Sequence, residues 1–94
     1  MDLKYDFNSI AEIEDKAGKT IGAIFTSGNV GFNTMRLLVW GGMLASRPRI
    51  TLQQAGELIG EYVAEGGTLA GLDEIITNKM VESGLFENFT QAES

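Results

Sequence analysis

The chain has 94 residues, a mean hydropathy near zero, and a formal charge of −6 from 13 acidic and 7 basic side chains. That length makes one domain with a modest core, and a hydrophobic content of 44% excludes a disordered or coiled-coil composition. The acidic balance disfavours a phosphate-backbone partner, so no nucleic-acid binding is expected. Cysteine and histidine are both absent, which removes disulfides, thiolate chemistry, the commonest general base and the commonest transition-metal ligand.

The opening ten residues lack a basic stretch followed by an apolar one, so no secretory signal is expected. Asp6 is placed to cap a first helix, with Tyr5 and Ile10 as a hydrophobic staple. Phe7, Ile10, Ile13 (or Glu14) and Ala17 follow helical spacing, and Gly18 is suited to end the helix. Glu12, Glu14 and Asp15 fall on the other faces and read as a solvated surface. No EF-hand spacing accompanies them, so no metal site is expected.

Thr20 can cap a short second helix that carries Ile21, Ile24 and Phe25 inward. The glycines at 18, 22, 28 and 31 match neither a Walker A loop nor the dinucleotide fingerprint, and no strand precedes them. They read as turns, the last feeding a helix that starts near Phe32.

Residues 33–45 form the least polar run of the chain, with Arg36 as their one charge. Leu37, Leu38, Val39, Trp40, Met43 and Leu44 point to every side of a helix, the pattern of an element enclosed by its neighbours. The run is far shorter than the ~20 residues that cross a bilayer, so a buried hub helix is predicted and no membrane partner. Gly41 and Gly42 within it suggest close approach by another backbone. The glycines four residues apart at 56 and 60 are the expected counterpart. Met35, Trp40 and Met43 read as core.

Ser46-Arg47-Pro48-Arg49 breaks the hub helix and is the only basic spot. Thr51 and Gln54 then form a capping box. Leu52, Ala55, Leu58, Ile59, Tyr62 and Val63 keep helical spacing up to Gly66-Gly67. Thr68 caps a last helix with an inner stripe of Leu69, Leu72, Ile75, Ile76, Lys79 or Met80, and Ser83, and Gly84 stops it. Residues 85–94 read as a mobile tail that nonetheless carries Leu85, Phe86 and Phe89.

The prediction is therefore an all-α single domain, residues 1–94, of about five helices around a buried central helix at about 32–45. That helix forms a hairpin with 52–65. A helix-turn-helix role in DNA binding is disfavoured because the helix after the turn carries glutamates and no lysine or arginine. No nucleophile has a suitable base, so no catalytic residue and no cofactor are expected.

Tyr5 to Asn8, Ile13-Glu14, Gly18, Arg36 to Gly42 and Thr51 to Ile59 stand in an order that resembles the tail assembly chaperones of long-tailed bacteriophages and prophages. The likeness runs from about residue 5 to residue 76. Those small helical proteins have an aromatic "FDFN"-like lead into a helix that ends in glycine, then an arginine-leucine-rich helix, then a Thr-capped helix. The resemblance implies a non-catalytic protein that binds the tape measure protein and keeps it soluble until tail tube subunits polymerise around it. It further implies self-association, a possible contact with the tail tube protein, residence in the host cytoplasm and absence from the mature virion. Many members are also made as a longer frameshifted product. Tyr5, Phe7, Leu85, Phe86 and Phe89, which flank the domain, are the expected protein interface. The competing expectation is a small phage structural or adaptor protein, such as a head-tail connector subunit.

Overall fold

A computed structural model describes residues 1–26 and 31–85. Five helices form among them: α1 (Phe7–Ala17), α2 (Ile21–Thr26), α3 (Phe32–Met43), α4 (Leu52–Ala64) and α5 (Leu69–Glu82). No strand occurs among the described residues, so the protein is all-α. None of the helices is long and apolar enough to cross a membrane.

Local chemistry sets most of the helix ends. The Asp6 carboxylate accepts the Ser9 N–H and the Ser9 hydroxyl accepts the Asp6 N–H, both at 2.8 Å, a reciprocal box with serine at its third position. Gly18 closes α1 in the left-handed region at φ 72°, which costs a residue without Cβ little. The start of α2 is capped twice. Thr20 Oγ1 accepts the Ala23 N–H at 3.2 Å, and the Glu14 carboxylate accepts the Ile21 N–H at 2.7 Å. Glu14 is thus a structural cap that ties α1 to α2, and not part of a solvated face. Thr51 and Gln54 make their capping box at 3.1 and 3.0 Å, and Thr68 accepts the Gly71 N–H at 3.0 Å.

α3 is the hub. Met35, Leu38, Val39, Trp40, Gly41, Gly42 and Met43 are all buried, and α1, α4 and α5 each pack against it. α3 and α4 form the hairpin, joined by a turn that Trp40 holds in place: its indole N–H donates to the Ile50 carbonyl at 2.9 Å. α5 turns Leu72, Ile76 and Met80 inward, a stripe of one residue per turn, and leaves Ile75 at the surface.

The close approach at Gly41 and Gly42 involves partners other than those predicted. A Cβ on Gly41 would strike the Ile13 side chain, and one on Gly42 would lie 2.8 Å from the Tyr5 ring and 2.9 Å from Leu3. The extended segment before α1 crosses the hub here, with the Lys4 N–H donating to the Gly42 carbonyl at 2.8 Å. Gly60 faces open space, and Gly56 lies beside Arg36, so the two glycine pairs do not meet.

Candidate protein interface

The expected interface residues take separate places. Tyr5 belongs to the core: it is 4% exposed, and its hydroxyl donates to the Leu38 carbonyl at 2.7 Å. Burial pushes its phenol pKa well above the ordinary tyrosine range. This corrects its expected surface role, because Leu3 and Tyr5 of the extended segment fill the space that Gly42 leaves open. Phe7, two residues on, points the other way and is 74% exposed. The spacing had placed it on the inward stripe of α1, but Ile10, Ile13 and Ala17 face the hub and the first helical position does not. Leu85 is half-buried and packs against the core. Phe86 and Phe89 lie outside the described residues. Met35, Trp40 and Met43 are core, as expected.

A groove opens on another side of the molecule, between the first turns of α3 and the facing sides of α4 and α5. Phe32, Asn33, Met35, Arg36, Gly56, Ile59 and Leu69 line a space of about 210 Å³. Its walls are largely apolar and Phe32 at its rim is 79% exposed. Gly56 gives the Arg36 stem room, with the Arg36 Cδ 3.4 Å from where a Cβ would stand. One Arg36 Nη donates to the Asn33 side-chain oxygen at 3.3 Å. The Arg36 Nε is enclosed and has no acceptor, and among the described residues Arg36 joins no ion pair.

Sequence reasoning passed over this groove. Its signal was Arg36 itself, the one charge in the most apolar run of the chain.

One other surface carries less. Arg47, Pro48, Arg49, Ile50 and Gln54 surround an open depression in which both arginines are exposed. No group of three or more acidic side chains converges as a metal site among the described residues. The α3–α4–α5 groove combines largely apolar walls with a half-buried arginine on an acidic body, an arrangement that suits apolar side chains of a protein. No family model, curated protein or solved structure matches the chain.

Proposed function

We propose that the protein is a non-catalytic tail assembly chaperone of a long-tailed phage or prophage, which binds the tape measure protein and keeps it soluble during tail tube assembly. The observation that carries this reading is the order of its sequence features. The Tyr5 to Asn8 lead, the glycine stop at Gly18, the Arg36 to Gly42 hub and the Thr51-capped helix follow the sequence of such proteins. The physical setting is compatible with it. A holdase needs apolar recesses on a strongly charged body, and the α3–α4–α5 groove on a chain of charge −6 has that character.

In this reading the protein works in the host cytoplasm as several copies on one long client. Linked weak contacts gain there through effective concentration. It then leaves the particle. Mass spectrometry of purified virions tests this: a chaperone is absent from them while present in the lysate. Stoichiometric retention in the virion would replace the reading with a structural adaptor such as a connector subunit.

A further inference from the structure

The connection between α3 and α4 displays two arginines on a fixed frame. Arg47, Pro48, Arg49 and Ile50 make a four-residue turn, closed by the Ile50 N–H on the Arg47 carbonyl at 3.0 Å. Pro48 stands at the second position, where its ring presets the backbone angle such a turn needs. The turn is fastened to the hub at both ends. The Arg47 N–H donates to the Met43 carbonyl at 2.8 Å, and the Ile50 carbonyl accepts the Trp40 indole N–H at 2.9 Å. Ile50 is itself buried, while Arg47 and Arg49 stand in solvent.

The fold brings further cations from distant parts of the sequence to this end of the hub. Lys16 of α1 lies over the Trp40 ring, its Nζ 4.9 Å from the ring centre, and Trp40 is the side chain that holds Ile50. Lys4 is tied through its N–H to the Gly42 carbonyl, one residue before the carbonyl that holds Arg47. Four of the 7 basic residues are thus placed around the end of α3. Arg47, Pro48, Arg49, Ile50 and Gln54 line a notch of about 400 Å³, and no carboxylate is among them. Asp2, Glu12 and Asp15, the acidic neighbours of these lysines in sequence, pair with none of the four cations. The one ion pair among the described residues joins Lys79 and Glu82.

We propose that this notch binds a short acidic segment of a partner protein, its carboxylates taken by Arg47 and Arg49 and its flanks by Lys16 and Lys4. The planar fork of an arginine matches a carboxylate with two parallel hydrogen bonds. A pair of forks held on a fixed turn before binding avoids part of the ordering cost. Pro48 and Ile50 add an apolar wall against which a peptide can lie. The extent of the patch favours a peptide over a nucleic acid or a membrane. Either of those carries phosphates well past the notch and onto a chain with 13 acids, whereas a few glutamates or aspartates stay within it. The inference goes beyond the chaperone reading and holds for any acidic protein partner, so its test uses the isolated protein.

Fluorescence anisotropy of a labelled octaglutamate peptide, titrated with the full chain at low salt, is the experiment. All substituted positions are exposed, so the variants keep the helical circular dichroism and melting of the parent. The parent binds saturably, and binding fades as salt rises to about 0.5 M. Arg47→Ala or Arg49→Ala weakens it by roughly tenfold, and the two together abolish it. Lysine at both positions keeps the charge and still weakens binding, because the forks are gone. Thr77→Glu with Asn78→Glu, on the exposed side of α5, gives the same net charge as the double alanine variant and leaves binding within about twofold of the parent. A parent that does not bind, or a double alanine variant that binds like the parent, overturns the proposal. So does a Thr77→Glu/Asn78→Glu variant that loses as much, since net charge alone would then explain the effect. Tighter binding of a single-stranded octanucleotide or of phosphatidylglycerol vesicles through the same arginines overturns it as well.

Discussion

The Tyr5 hydroxyl donates to the Leu38 carbonyl across 33 residues of sequence, so the segment before the first helix is fastened to the middle of the hub. This bond, with the Lys4 N–H on the Gly42 carbonyl, makes the N-terminal segment part of the core. Tyr5→Phe keeps the ring against Gly42 and loses the bond, at a cost of about 1 kcal/mol. Tyr5→Ala also empties the space and costs about 3–5 kcal/mol. Urea denaturation of the two variants beside the parent measures both.

The same tyrosine gives the fold an alkaline limit. Its folded pKa is raised by burial, while the unfolded side chain ionises near pH ~10. The neutral phenol's contribution is therefore fully present below about pH 10 and is lost as pH climbs from there toward the folded value. Melting temperatures measured upward from pH ~9 should fall more steeply for the parent than for Tyr5→Phe.

Glycines divide by what surrounds them. At Gly41 a Cβ would collide with Ile13, which is fully buried and has no space to retreat, so Gly41→Ala destabilises by about 1–3 kcal/mol. Gly60 sits inside α4 with nothing near the added atom, so Gly60→Ala stabilises by about 0.5–1 kcal/mol. Thermal melting of both variants reads the opposite signs. A shared sign would contradict the packing described.

Trp40 links the hub to the turn before α4, and it is the chain's single tryptophan. Trp40→Phe removes the donor to the Ile50 carbonyl and costs about 1–3 kcal/mol. In the parent, the indole is 7% exposed, so its emission is blue-shifted and shifts to the red on unfolding. Acrylamide quenching of the native protein checks that burial directly.

Thr51 holds the first turn of α4 through one hydroxyl. Thr51→Ala lowers stability by about 1 kcal/mol, while Thr51→Ser, which keeps the acceptor, restores most of it. Denaturant midpoints of the two variants make the comparison.

What was legible in the sequence was local. Asp6, Thr51 and Thr68 announce helix starts, and Gly18 and Gly84 announce ends, because each acts on residues three or four away. The all-round apolar run of the hub was equally plain, since enclosure leaves no polar face. What stayed hidden depends on residues far apart in sequence. Nothing near Tyr5 says that Gly42, 37 positions later, leaves room for its ring. Glu14 looked like one more surface carboxylate, and only the fold back into α2 brings it to the Ile21 N–H. The groove joins Arg36 to Gly56, Ile59 and Leu69 across three helices, so no window of sequence contains it.

The proposed hold on a tape measure protein is tested most directly by co-expression with the tape measure protein of the same phage or prophage, followed by fractionation and co-purification. If the proposal is right, the client, insoluble alone, moves to the supernatant and elutes with several copies of this chain. A client that stays in the pellet while this chain elutes alone would contradict it.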